Sequence, residues 1–259
     1  MESAIAAFRS KLDAGRVCIG PSITFSDPLV TDALASSVDF FWIDTEHSAL
    51  AAETVGRHLL ATRARRVPAL VRVPGSAVPF IKPVLDVGAD GVIVPQVRSL
   101  DEVRAVVDAC RYPPLGHRGF GPRVPSNYGR DSGPAYLARA NRELFVAVQI
   151  ETVEALDQVE AIAAVPGLDS LALGPWDLSG ALGHLGDVEH PVVVAAIERV
   201  IAAARAAGIY VGSGMGADPI YAATMARRGC QWLQVGDDYD YLVSAMDTLT
   251  ADIRARLAH

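Results

Sequence analysis

Eight short apolar runs punctuate the chain, at 17–20, 40–43, 69–73, 91–95, 144–150, 170–173, 209–212 and 232–235. Each is nearly unbroken in apolar character, the mark of a parallel strand buried on both faces. Stretches of helical period lie between them. Ser99 followed by Glu102 reads as a capping box. Residues 195–207 and 219–228 read as helices, the second opening with Asp218 as cap and Pro219 in its first turn. Gly88, Gly208 and Gly229 each sit just past a helix, where a left-handed residue is wanted. Repeated βα units in 259 residues predict one (β/α)8 TIM barrel over 1–259. A doubly wound open sheet is the alternative, but no Gly-x-Gly-x-x-Gly follows the first strand.

Composition narrows the class. At 51% hydrophobic the chain can fill a large core, which excludes disorder as its main state. A net charge of −7 argues against coating a nucleic acid, and no apolar run is long enough to span a bilayer. Met1-Glu2-Ser3 lacks the basic start and apolar core of a signal peptide, so the expected location is cytoplasmic. Cys18, Cys110 and Cys230 have no zinc-like spacing and read as reduced, buried thiols.

One connection is much longer than the rest. Residues 111–141 are rich in Pro, Gly and Arg, and a stretch of that length inside a compact domain reads as a functional loop. Following the fourth strand, it is expected over the end of the barrel where active sites form.

Polar residues track the strand ends. Asp44, Glu46 and His47 follow the second strand; Arg72 ends the third and Gln96 the fourth. Gln149 and Glu151 end the fifth, Asp177 lies just beyond the sixth, and Ser213 just beyond the seventh. In a parallel barrel these ends share one face and converge on one pocket. Glu151 and Asp177 are hard oxygen donors suited to Mg2+ or Mn2+, which often take only two protein carboxylates; Co2+ or Zn2+ are further candidates. Arg72 offers a rigid fork for a carboxylate or enolate oxygen. His47 titrates near neutrality and is the natural general base. Together they point to carbon–carbon bond or proton chemistry through an enolate. A Schiff-base mechanism lacks its lysine, since Lys82 reads as helical.

The same residues fall in a recognisable series: IDTEHSAL (43–50), LVRVPG (70–75), IKPVLDVGADGVIVPQV (81–97), RYPPLGHRGFG (111–121), VQIET (148–152) and GPWDLSGALG (174–183). In these motifs, over nearly its whole length, the chain resembles the HpcH/HpaI aldolases, metal-dependent class II pyruvate aldolases. The resemblance implies a phosphoenolpyruvate/pyruvate-type barrel, assembled as a homohexamer of paired subunits that exchange their last helix. It implies a divalent metal on Glu151 and Asp177, chelated by the keto and carboxylate oxygens of pyruvate. It assigns Arg72 to the enolate oxygen, Gln149 to the pyruvate end, and the backbone N–H groups around Trp176 and Asp177 to the carboxylate. His47 would be the base, acting on the substrate hydroxyl directly or through a water on the metal. Asp86 matches the aspartate that partners this histidine, often from a neighbouring subunit, and Asp44 and Glu46 would orient the histidine and the metal's waters. Ser213 is an expected substrate contact.

The chain departs from the pattern at three places. Trp176 stands where a small residue is common, so its indole either narrows the pocket or faces outward. Residues 121–129 match no loop tied to one aldehyde, and GSGMG at the end of strand seven is glycine-rich where some members are apolar. The expected activity is cleavage or formation of 4-hydroxy-2-oxo acids, giving pyruvate plus an aldehyde. Oxaloacetate decarboxylation on the same site and a non-catalytic 2-oxo-acid sensor are the alternatives.

Overall fold

The computed structural model describes residues 3–258; Met1, Glu2 and His259, the last a histidine without ligand spacing that reads from sequence as structural or solvated, lie outside them. All eight expected strands form: β1 (Cys18–Ile23), β2 (Phe41–Asp44), β3 (Ala69–Arg72), β4 (Gly91–Val94), β5 (Phe145–Ile150), β6 (Ser170–Leu173), β7 (Tyr210–Met215) and β8 (Trp232–Asp237). They pair in sequence order, all parallel, and β8 closes on β1. The helices are α1 (Ala4–Asp13), α2 (Pro28–Leu34), α3 (Ala52–Arg65), α4 (Val78–Asp86), α5 (Leu100–Cys110), α6 (Gly133–Glu143), α7 (Val153–Asp157), α8 (Val159–Ala163), α9 (Pro175–Ala181), α10 (Pro191–Ala207), α11 (Pro219–Arg228) and α12 (Asp238–Leu257).

Local chemistry sets their ends. Asp218 accepts the Ile220 and Tyr221 N–H groups at the head of α11. Gly88, Gly208 and Gly229 take φ of 106°, 69° and 124°, the left-handed half of the map expected of them. At α5 the capping box is half made. Ser99 accepts the Glu102 N–H at 3.2 Å, but the Glu102 carboxylate turns to the Arg98 N–H and the Ser76 hydroxyl instead.

The core divides by the two-residue period of the strands. Outward residues such as Val71, Val92, Val148 and Leu171 pack under the helices, while inward residues join α1 in a second cluster. There Phe8 meets Phe40 and Phe145 with ring centroids 5.4 and 5.7 Å apart, and Phe40 meets Trp232 edge-on. This aromatic plug fills the end where the strands begin. Glycine makes room for it: a Cβ on Gly212 would lie 2.0 Å from the Trp232 ring. With one end closed, polar groups are left to the other.

The long connection does not lie where the sequence suggested. Strand β4 reaches α5 through residues 95–99, and α5 carries the chain back to the strand-start end. Residues 111–132 therefore lie at the strand-start end, opposite the strand C-termini, and α6 occupies the rest. Arg111 anchors the segment there by donating to the carbonyls of Asn141, Leu144 and Gly167 and to Asp169.

The final helix does not complete the wall. Along α12 only Asp238 is buried, and Leu242, Met246, Leu249, Ile253 and Leu257 form an exposed apolar stripe. A groove lined by Val17, Ile19, Ala222, Ala226, Leu233 and Val235 runs beside β8 and β1.

Gly212→Ala should destabilise the fold by about 1–3 kcal/mol through overpacking against Trp232. Urea unfolding measures this, and Trp232→Leu in the same chain should recover part of the loss.

Candidate active site

Inward positions near the ends of β2, β3 and β5 carry Asp44, Arg72 and Gln149, and Glu151 follows directly. Asp44 is 2% exposed and receives Arg72 as a fork, Nε and Nη2 each donating at 2.8 Å to its two oxygens. Burial of a lone carboxylate is costly, and the bidentate pair offsets it. The Arg72 guanidinium also lies 5.2 Å from the Trp42 ring centroid. Asp44 accepts the backbone N–H groups of Glu46 and His47 at 3.0 and 3.3 Å, and its carbonyl accepts the Ser48 hydroxyl. One carboxylate thus fixes both the arginine and the turn that presents the histidine. Glu46 lies 3.2 Å from Arg72 Nη1 and 3.6 Å from His47 Nε2. His47 has a 64% exposed side chain, open to a substrate.

On the other side stands Glu151, 3% exposed. Its Oε1 accepts the Gln96 backbone N–H at 2.8 Å and the Gln96 side-chain amide at 3.0 Å; its Oε2 accepts Gln149 Nε2 at 2.9 Å. Gly174 at the end of β6 admits the carboxylate, since a Cβ there would lie 2.2 Å from Oε2. Burial pushes the Glu151 carboxyl up to about 7, against the Gln96 hydrogen bond, and the charges of Asp177 and Glu46 push the same way. Glu46 is raised as well, first by burial. Asp177 occupies the first turn of α9.

This donor set fits a divalent cation. The negative charge of Asp177 helps to raise the carboxyls of both Glu46 and Glu151, while Arg72 is already shared by Asp44 and Glu46. Gln149 Oε1 is buried with no hydrogen-bond partner. Among the described residues no group of three or more His, Cys, Asp or Glu is set to hold a metal. Two carboxylates with water and substrate oxygens are a magnesium-type arrangement.

Of the expected residues, Ser213 is placed differently. Ser213 alternates with Gly212 and Gly214, which abut the inward Trp232 and Gln234, so its hydroxyl turns outward and donates to the Leu173 carbonyl. It is buried under the helices, not a wall of the pocket. Trp176 is 59% exposed with its indole against Gly186, the outward placement of the two the sequence left open. Asp86 ends α4 on the strand-start side, paired with Lys82 and with Arg118 Nη2 at 3.2 Å, and does not meet the His47 of its own chain. Gln96 joins the site without having been given a role from sequence. Its φ of 55° is costly for a residue with a side chain. That strain aims its N–H at Glu151.

A raised carboxyl pKa means the folded chain holds its proton more tightly than the unfolded chain. The resulting stabilisation is present below about pH 4.5 and is lost as pH rises through about 7. Metal-free protein should therefore lose stability across that window relative to Glu151→Gln, by on the order of 3 kcal/mol. Melting curves at stepped pH check this, and saturating Mg2+ should flatten the wild-type curve.

The model of the HpcH/HpaI aldolase/citrate lyase family matches residues 23–245. A 4-hydroxy-2-oxovalerate aldolase of Novosphingobium aromaticivorans is 38% identical over 215 residues, 81% of either chain. A 4-hydroxy-2-oxo-heptane-1,7-dioate aldolase of Salmonella paratyphi C is 37% identical over 246 residues, 95% of this chain and 93% of that one. The crystal structure of a family protein from Burkholderia cenocepacia superposes with a TM-score of 0.88 at 32% identity, covering 96% of this chain and 99% of that one. The chain belongs to the HpcH/HpaI aldolase/citrate lyase family of carbon–carbon lyases.

Proposed function

We propose that the chain, acting as one barrel domain over 1–259, is a divalent-metal-dependent aldolase of the cytoplasm. It cleaves or forms 4-hydroxy-2-oxo acids, with pyruvate and an aldehyde as the other side of the reaction. The observation that carries this reading is the meeting of the Asp44-held Arg72, the crowded carboxylates Glu151 and Asp177, and the exposed His47 at one barrel end. A metal-binding sensor would have no use for His47.

Glu151 and Asp177 would hold Mg2+ or Mn2+, whose positive charge would help bind the 2-oxo acid and offset the charge of the enolate. In the cleavage direction His47 takes the C4 hydroxyl proton, and the C3–C4 electron pair moves into the pyruvate enolate as the aldehyde leaves. Arg72 faces the enolate oxygen with the N–H groups that Asp44 leaves free, a preorganised donor that need not reorient as charge develops. Gln149, braced against Glu151, orients the pyruvate end, and the Trp176 and Asp177 N–H groups receive its carboxylate. Protonation of C3 completes pyruvate. Asp44 carries no proton in this scheme and serves as the fixed anchor of Arg72 and the His47 turn.

The exposed stripe on α12 and the bare groove beside β8 and β1 favour assembly by exchange of this helix between paired subunits, and of pairs into a hexamer. Charging the stripe with Met246→Glu and Leu249→Glu should reduce the mass seen by light scattering to that of a single chain while far-ultraviolet dichroism stays native.

Proton–deuterium exchange at the pyruvate methyl, followed by NMR, tests the chemistry without knowledge of the aldehyde. Exchange should require Mg2+ or Mn2+ and stop with EDTA, and it should be lost in Glu151→Gln and Asp177→Asn. Cleavage should fall about 10²–10⁴-fold in His47→Ala and about 10²–10³-fold in Arg72→Lys, which cannot keep the fork. Exchange that survives EDTA would overturn the reading.

A further inference from the structure

We propose that Gln96 is a positioning residue of the cation site, holding the Glu151 carboxylate by Oε1 so that Oε2 alone is offered to the metal. The inference rests on the reading above that Glu151 and Asp177 hold a divalent cation.

Gln96 is the second residue beyond β4, and it gives two donors to one oxygen. Its backbone N–H nitrogen lies 2.8 Å and its side-chain Nε2 3.0 Å from Glu151 Oε1. An ionised carboxylate offers about two acceptor sites on each oxygen, so Oε1 is filled from the β4 side. Oε2 accepts a single donor, Gln149 Nε2 at 2.9 Å, and keeps one site free. It is also the Glu151 oxygen nearest Gly174, where a Cβ would lie 2.2 Å from it. Gly174 follows β6 and opens α9, whose first turn carries Asp177. The free site of Glu151 is thus on the oxygen that abuts the element bearing the second carboxylate.

The backbone shows what this arrangement costs. Gln96 has a φ of 55°, in the left-handed region that favours glycine. A glycine there would keep the N–H bond to Oε1 without the strain, so what the side chain adds is its amide. It does not fill the core, because Gln96 is exposed while Val97 beside it is fully buried. Strain of this kind persists only where the surroundings hold it. The Val97 carbonyl accepts the Thr152 hydroxyl at 2.8 Å, the Arg98 carbonyl accepts Gln158 Nε2 at 3.3 Å, and the Leu100 N–H donates to Gln158 Oε1 at 3.2 Å. Residues 97–100 are thereby tied to the segment that follows Glu151. Donor and acceptor are locked together through the backbone as well as through their own bonds. A group that orients a metal ligand spares the cation the cost of ordering it, and its loss weakens metal binding about 10–100-fold.

The test measures Mn2+ affinity of the full chain without substrate, at mildly alkaline pH, from the electron paramagnetic resonance signal of free Mn2+. Gln96→Met keeps the side-chain length and the backbone N–H but removes the amide donor. Gln96→Gly removes the same donor and relieves the strain. Each should raise the Mn2+ Kd about tenfold or more. Without metal, the urea midpoint of Gln96→Gly should stay within about 0.5 M of the parent's, since the lost bond and the relieved strain oppose each other. A residue that served only the fold would move the midpoint and leave the Kd. A Kd within about twofold of the parent's in either folded variant overturns the inference. Glu151→Gln should abolish Mn2+ binding. If it binds Mn2+ as the parent does, or the parent binds none, the metal reading itself falls, so the two failures are read separately.

Discussion

The fork between Asp44 and Arg72 is the interaction on which the catalytic end depends. It joins the last residues of two adjacent strands, which pair in register, and it is buried, so neither partner can be removed without stranding the other's charge. Its second effect is on the backbone. The oxygens that hold the guanidinium also accept the N–H groups of Glu46 and His47, which sets the histidine's turn in relation to the arginine. The histidine's turn and the guanidinium are thereby positioned by one carboxylate.

The opposite end supplies the rigidity. Aromatic rings from α1, β5 and β8 interlock where the strands begin, and glycines at Gly20, Gly91 and Gly212 allow them to. Apolar filling of one end and polar lining of the other follow from where inward positions carry Phe and Trp, and where they carry Asp, Arg, Gln and Glu. The carboxylate crowding around Glu151 is a local cost that the plug can sustain, and it gives a divalent cation something to relieve.

Much of this was legible in the sequence. Strand number, order and type follow from unbroken apolar runs, whose burial on both faces leaves little ambiguity. Asp44, Arg72, Gln149 and Glu151 were recognisable because a strand end is visible as the point where apolar character stops. Three features were not legible, each for a reason of geometry. Ser213 lies on the wrong face because one residue of register inverts a side chain, and a glycine-rich strand end gives no apolar alternation by which to set it. The long segment at 111–132 was assigned to the wrong end because a helix intervenes between it and β4. Gln96 acts largely through a backbone N–H in a left-handed conformation, which residue identity does not announce.

The exposed stripe of α12 and the catalytic face meet at one residue. Asp238 is the first residue of α12, and its carboxylate is bonded to the turn that follows β1. The helix can therefore leave its own barrel wall without loosening the face, because its origin is tied before its apolar positions begin at Leu242. A carboxylate with three donors from the β1 turn resists being pulled away more than an apolar contact would, since separation would leave those donors and the charge to find new partners at once. A single buried side chain, Asp238, thus separates the exposed stripe of α12 from the strand-end face.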